Sequence, residues 1–131
     1  MTITRRWWLT GLVVAGGWAG TRISRVEVVG DSMRPTLEPG DRLVLSRRRR
    51  VRPGDLVAVT DPRQARRIVV KRVTRVSDAG LTVLGDNPSA STDSRVFGPV
   101  SPSAVQGRAV YRYHPPSRRG RLANGGVDRP L

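Results

Sequence analysis

Residues 28–37 read Val-Val-Gly-Asp-Ser-Met-Arg-Pro-Thr-Leu. An apolar run ends at Gly30, Ser32 follows, and Pro35 closes a turn, a pattern that places one hydroxyl at the end of a strand. A serine hydroxyl is a poor nucleophile unless a base is positioned to take its proton. Such a base must therefore come from another part of the chain.

The composition excludes several kinds of site. The chain has 131 residues, a formal net charge of +14, no cysteine and a single histidine, His114. Disulfides and thiolate zinc sites are excluded, and one histidine is too few for a typical histidine zinc site. No metal or other cofactor is expected. His114 stands beside a basic segment and is interpreted as a surface residue, which disfavours a Ser-His-Asp triad.

Lys71 is the only lysine, and every other cationic side chain is arginine. Arginine stays protonated in proteins, whereas a lysine in apolar surroundings can lose its proton near neutral pH. If residues 67–76 form a strand, Lys71 shares one face with Val69 and Val73. Lys71 is therefore the candidate general base, although an exposed lysine on an edge strand would give the same pattern.

Short apolar runs between Gly/Pro turns predict an all-β domain, either a barrel or a sandwich. The predicted domain covers residues 23–114, and residues 115–131 are predicted to be a basic, disordered tail. The predicted strands are residues 26–29, 42–46, 56–60, 67–76, 81–84 and 107–113, with a helical turn in 101–106.

Residues 1–22 form a hydrophobic N-terminal segment. Its apolar part, residues 7–20, would reach about 21 Å as a helix, short of the roughly 30 Å of a bilayer core. Three alternatives stay open: a short or tilted membrane anchor, a segment lying on the membrane or packed on the domain, and a cleaved signal peptide. The expected location is at a membrane, or in the cytoplasm if the segment does not insert.

The arginine run at residues 47–50 has two interpretations. It suits a solvated hairpin tip, and it also suits contact with anionic lipid headgroups or nucleic acid. Single-stranded nucleic acid binding usually adds aromatic stacking platforms, and few aromatic residues lie outside the N-terminal segment. No specific nucleic acid partner is expected.

Residues 85–98, Gly-Asp-Asn-Pro-Ser-Ala-Ser-Thr-Asp-Ser-Arg-Val-Phe-Gly, begin with a strong turn signal. Short hydroxyl and carboxylate side chains follow. An exposed loop would look similar. The functional interpretation is a buried polar loop that positions a catalytic group, with Asp93 and Arg95 as an internal ion pair.

Three blocks together, residues 30–37, 70–73 and 85–98, resemble the signal peptidase I family of serine proteases, and residues 53–57 match a further block of that family. The resemblance covers about residues 26–113. It implies a compact signal-peptidase-like or LexA-like β-barrel with a short N-terminal hydrophobic helix. The compact length, residues 87–91 and the ending at 111–116 also resemble the branch that matures nickel-type superoxide dismutase.

The resemblance implies a Ser/Lys dyad. Ser32 would attack the scissile carbonyl of a precursor protein, and neutral Lys71 would take its proton and later pass it to the leaving amine. The backbone N–H of Ser32 would stabilise the oxyanion, and Ser91 would orient Lys71. The remaining implied residues support the loop (Asp86, Asn87, Asp93 and Arg95) or shape the turn that meets the substrate (Gly30, Met33 and Pro35).

Two departures from the family pattern bear on the substrate. Gly30 stands where many relatives have a serine as second oxyanion donor, and Pro88 stands where larger signal peptidases usually have arginine. The second departure favours one dedicated substrate, the nickel-type superoxide dismutase precursor. The alternatives are a general type I signal peptidase, a self-cleaving repressor-like protease with a cut site at residues 19–20, and a non-enzymatic basic binding module.

Overall fold

The structure is a computed structural model, and it describes residues 23–47 and 50–123. The predicted N-terminal helix and the centre of the arginine run lie outside the described residues. Over the described ranges, no helix is both long enough and apolar enough to span a bilayer.

Seven antiparallel strands form one sheet, and this confirms the all-β prediction. Each predicted strand is present, although β1 begins earlier than expected and β4 and β6 are longer. The strands are β1 (Ile23–Glu27), β2 (Arg42–Ser46), β3 (Leu56–Asp61), β4 (Gln64–Ser77), β5 (Gly80–Leu84), β6 (Val105–His114) and β7 (Gly120–Arg121). A short helix α1 (Ser94–Phe97) and 3-10 turns at Pro88–Ala90, Pro102–Ala104 and Pro116–Arg118 lie in the connections.

The described strands form an open sheet rather than a closed barrel. Their order is β1-β2-β6-β3-β4-β5, with β7 on β6, so that β1 and β5 stand at opposite ends. The loop after β5 turns toward the segment after β1, where Asn87 N donates to the Ser32 carbonyl oxygen at 2.9 Å. Loop contacts therefore join the two ends, and they bring the second half of the chain onto Ser32.

Strand β3 is buried on both faces and separates two hydrophobic clusters. Leu56 and Ala58 pack with Met33 and Leu37 of the serine turn in the first cluster. Members of the second cluster come from β3, β4, β5 and the segment before β6, and include Val57, Val59, Val73, Val83 and Val100. Burying a side chain of this size stabilises a fold by about 1.5–3 kcal/mol, so both clusters hold their elements firmly.

Ordered structure continues past His114, where the sequence predicted a disordered tail. The Pro116–Arg118 turn leads into β7, and Leu122 is buried in the first hydrophobic cluster. Arg118 donates two hydrogen bonds to Asp41, at 2.8 and 2.9 Å. Residues 115–123 are therefore ordered where the sequence predicted a disordered tail, because β7 pairs with β6, Leu122 is buried and Arg118 pairs with Asp41. Residues 124–131 lie outside the described residues.

Candidate active site

The turn that carries Ser32 is anchored on both sides. Met33 is 2% exposed and Leu37 is fully buried, and the Leu37 N–H donates to the Met33 carbonyl oxygen at 2.9 Å. Gly30 precedes the serine with a φ of +87°, a left-handed conformation that glycine adopts readily. Ser32 itself is half-buried. The sequence therefore presents one hydroxyl from a turn whose neighbours are packed in the core.

Lys71 lies in β4 opposite Val57 of β3, with its side chain on the face that includes Val69 and Val73. The side chain is 3% exposed, so the apolar surroundings predicted from the strand pattern are present. Burial lowers the pKa of Lys71, and the negative charge of Asp93 opposes that shift only in part. The neutral amine is therefore easier to form here than on an exposed lysine.

A chain of hydrogen bonds runs from Lys71 to a buried carboxylate. Lys71 Nζ donates to Ser91 Oγ at 3.0 Å, and Ser91 Oγ donates to Asp93 Oδ2 at 2.6 Å. Asp93 is fully buried and also accepts from the Gly85 N–H at 2.8 Å and from the Arg95 guanidinium at 2.9 and 2.7 Å. The ion pair of Asp93 with Arg95 predicted from the sequence is present.

The direction of this chain follows from the charge state of Asp93. Burial alone would raise the pKa of Asp93, but hydrogen bonds from Arg95, Ser91 and the Gly85 N–H outweigh it and hold the pKa well below its ordinary value. An ionised carboxylate can only accept hydrogen bonds. The Ser91 hydroxyl must therefore donate to Asp93 and accept from Lys71. Neither hydrogen bond uses the lone pair that a neutral Lys71 amine would carry.

Gly85 brings the serine turn and Ser91 together. A Cβ atom added at this glycine would lie 2.6 Å from the Ser32 carbonyl oxygen and would overlap Ser91 Oγ, so no larger residue fits. Asn87 adds a second link, since its side-chain amide donates to the Asp31 carbonyl oxygen at 3.0 Å.

The Ser32 side chain makes no hydrogen bond to the Lys71 amine in the described structure. The hydrogen bond of Ser32 to the loop after β5 uses its backbone carbonyl oxygen instead. In substrate-free enzymes catalytic side-chain hydrogen bonds are often long and tighten when substrate binds.

A second connection joins β4 to the serine turn on the opposite face of the strand. The Arg72 guanidinium donates to both carboxylate oxygens of Asp86, at 3.0 and 2.9 Å, and Thr36 Oγ1 donates to Asp86 Oδ2 at 2.6 Å. Paired guanidinium–carboxylate bonds fix geometry as well as adding energy. The two faces of β4 are thus tied to the loop after β5, Lys71 through Ser91 and Arg72 through Asp86.

Sequence reasoning missed Asp41 behind the serine turn. Asp41 is 1% exposed and accepts from the Glu38 N–H, from Arg112 and from Arg118, and Arg112 also donates to the Thr36 carbonyl oxygen at 3.1 Å. The Pro-Gly-Asp unit at residues 39–41 indicated only a turn. Its two arginine partners lie more than 70 positions along the chain, where no local pattern could reveal them.

The site offers groups that suit acyl transfer. Within residues 23–47 and 50–123, no group of three or more Asp, Glu or His side chains is arranged to hold a metal ion. The site combines an anchored serine, a buried lysine and a hydroxyl that orients that lysine. This set suits attack of a hydroxyl on a carbonyl carbon, with an amine as proton acceptor.

Comparisons with known proteins cover the same elements. Residues 13–110 match the family described as Peptidase S24-like. The chain is 37% identical over 127 residues to the mitochondrial ATP-independent inner membrane protease subunit 1a of Arabidopsis thaliana, with 76% of each chain covered. It is 35% identical over 126 residues to the mitochondrial inner membrane protease subunit 2 of Danio rerio, covering 76% of this chain and 68% of the relative. A probable signal peptidase I-1 of Synechocystis sp. is 40% identical over 50 residues, covering 38% of this chain and 26% of the relative.

Proposed function

Because the chain belongs to a signal peptidase I-like family of serine peptidases and matches the Peptidase S24-like family over residues 13–110, we propose that it removes N-terminal extensions from precursor proteins at a membrane. The chain is a serine-type peptidase. The observation that carries the proposal is the hydrogen-bonded chain from Lys71 through Ser91 to Asp93, which lies beside the turn that presents Ser32.

In the proposed reaction, Ser32 Oγ attacks the scissile carbonyl carbon while neutral Lys71 Nζ accepts the hydroxyl proton. The tetrahedral intermediate then expels the new amine, which receives that proton from Lys71, and water hydrolyses the acyl-enzyme by the same route. A positioned general base contributes about 10²–10⁴-fold to such a step. The Ser32 N–H would donate to the oxyanion, and one such donor is worth roughly 3–4 kcal/mol.

Ser91 and Asp93 would prepare Lys71 for this role without touching the substrate. Ser91 accepts one N–H of the amine, so the lone pair of neutral Lys71 is free to accept the proton of Ser32. Burial by the valines of β3 and β4 favours the neutral amine. Asp93 holds the Ser91 hydroxyl in place. Its negative charge also offsets part of the lowering of the Lys71 pKa by burial, so protonated Lys71 is tolerated during the reaction.

The unpaired edge of β4 offers a place for the substrate backbone. On one side of β4, β3 pairs with Gln64 and, after a register shift, with residues 68–72, whereas β5 joins the other side only from Arg72 onward. An extended peptide can add to such an edge through main-chain hydrogen bonds. This would carry the peptide past Lys71, with small side chains near the cut.

The comparisons favour general precursor processing over a dedicated substrate. The relatives are named as inner membrane protease subunits and a signal peptidase, which supports action on precursor proteins at a membrane. Maturation of nickel-type superoxide dismutase rests on residues 87–91 and 111–116 of the sequence and stays a prediction. Membrane attachment is proposed to use residues 1–22, which lie outside the described residues.

Co-expression with two precursors tests the proposal. One precursor is a secreted protein with its signal peptide and the other a nickel-type superoxide dismutase with its extension, and mass spectrometry identifies each N-terminus. We expect trimming of the secreted protein, loss of trimming in Ser32→Ala, and normal trimming in Ser77→Ala, whose serine lies at the far end of β4. Trimming of the dismutase alone would establish the dedicated function, and trimming of neither would refute the proposal.

A further inference from the structure

One arginine on the Lys71 face of β4 has only a long ion pair to balance its charge. Arg67 is 58% exposed, and its Nε lies 3.8 Å from Asp61 Oδ2, beyond hydrogen-bond distance. Asp61 is 1% exposed, and Arg63 is its nearer partner, donating to it from its backbone N–H at 2.8 Å and from its guanidinium at 3.0 and 2.8 Å. One carboxylate thus faces two guanidinium groups and pairs more closely with Arg63, so the exposed Arg67 side chain can also meet an outside anion.

Arg67 lies beside the edge of β4 along which the substrate is proposed to bind. It is four residues before Lys71 and on the same face, at a separation of about 13 Å along an extended strand. Arg63 bounds the far end of this region, with its guanidinium 5.5 Å from the centre of the Phe97 ring. A peptide that extends from Lys71 along this edge therefore reaches two guanidinium groups that face one buried carboxylate.

We propose that Arg67, assisted by Arg63, forms a subsite for an acidic side chain of the substrate, about four residues from the scissile bond. The inference rests on the proposed function, since it assumes a peptide on the edge of β4. A guanidinium presents parallel N–H groups that match the two oxygens of a Glu or Asp carboxylate. Because the site is exposed, the selectivity is modest and weakens as salt is added.

Arg66 supplies a matched control. It is the preceding residue, it is also exposed, and unlike Arg67 it forms no ion pair with Asp61 within the described residues. Substituting Arg66 or Arg67 with glutamine removes the same charge from adjacent positions. An effect of net charge alone would appear in both variants, whereas a subsite effect appears only in Arg67→Gln.

The test measures kcat/KM for purified full-length protein on peptides that span one cleavage site. At each position three to five residues from the cut, on either side, the peptide carries Glu, Gln or Lys. We expect one position at which Glu exceeds Gln by about fivefold at low salt, the size of a well-placed exposed ion pair. Arg66→Gln should keep this preference, Arg67→Gln should lose it through KM, and Arg67→Glu should prefer Lys.

Comparing peptides on one enzyme cancels any effect of the variants on the pKa of Lys71. Equal cleavage of the Glu and Gln peptides at every position by the wild type overturns the subsite and leaves the peptidase function standing. Equal loss of preference in Arg66→Gln and Arg67→Gln overturns it as well. Failure of the wild type to cleave any peptide refutes the proposed function itself, and the subsite with it.

Discussion

Replacing Ser91 with alanine removes the atom that joins Lys71 to Asp93. The buried carboxylate keeps its bonds from the Gly85 N–H and from Arg95, so only one of its partners is lost. A hydrogen bond to a charged group contributes about 1.5–3 kcal/mol, so the free energy of unfolding should fall by about 2 kcal/mol and the domain should stay folded. Among the described residues, Ser91 is the one side chain that hydrogen-bonds Lys71, so the substitution also removes a fixed orientation of the amine.

The catalytic effect should exceed the structural one. If the oriented base supplies about 10²–10⁴-fold, freeing the amine should lower kcat about 10–100-fold with KM nearly unchanged. The assay measures kcat and KM on one precursor peptide at a temperature below the melting transition of the variant. Ser89→Ala is the matched control, because Ser89 is exposed and its hydroxyl contacts only Asn87, at 3.2 Å.

Two results would refute this reasoning about Ser91. Wild-type kcat in a folded Ser91→Ala protein would show that Lys71 needs no orienting hydroxyl. A large drop in melting temperature, with unchanged kcat for the fraction that stays folded, would make Ser91 a structural residue only.

The same geometry leads to five further predictions. Lys71→Met should abolish cleavage yet leave the melting temperature at pH 7 equal or higher, because it removes a buried amine that favours its neutral form. The wild type should gain stability as pH rises from the lowered pKa of Lys71 to its ordinary value of 10.5. In that pH range Lys71 is protonated in the unfolded chain but neutral in the folded one, so rising pH favours folding. Thermal melts of Lys71→Met should lack this gain. Wild-type kcat/KM should rise with pH as Lys71 deprotonates, so a flat profile from about pH 6 to 10 would contradict a general base when chemistry limits the rate. Gly85→Ala should lower both activity and melting temperature, because its methyl group would collide with the Ser32 carbonyl. A chain ending at Pro115 should melt far below one ending at Ala123 in calorimetry, because it lacks the buried Leu122.

The local chemistry of the chain was predictable because it depends on neighbours in sequence. Alternation along β4 placed Lys71 with Val69 and Val73, and turn residues marked the ends of most strands. The ion pair of Asp93 with Arg95 was predictable for the same reason, since the partners are two residues apart.

Contacts between distant segments were not predictable from these patterns. Arg118 lies 77 positions from Asp41, and only the strand order brings them together. In a chain with 24 lysine and arginine residues, no arginine stands out as a partner for a given carboxylate. The open sheet was missed for a related reason, because strand patterns do not reveal whether β1 meets β5.

The most direct test of the central claim asks whether one hydroxyl and one amine perform the cleavage. The N-terminus of a co-expressed signal-peptide-bearing precursor is read by mass spectrometry with the wild type, Ser32→Ala and Lys71→Arg, and each purified variant is checked for a folded-state melting transition. We expect trimming by the wild type alone, since Lys71→Arg keeps the charge but cannot release its proton. Trimming by folded Ser32→Ala or by Lys71→Arg would contradict a Ser/Lys peptidase.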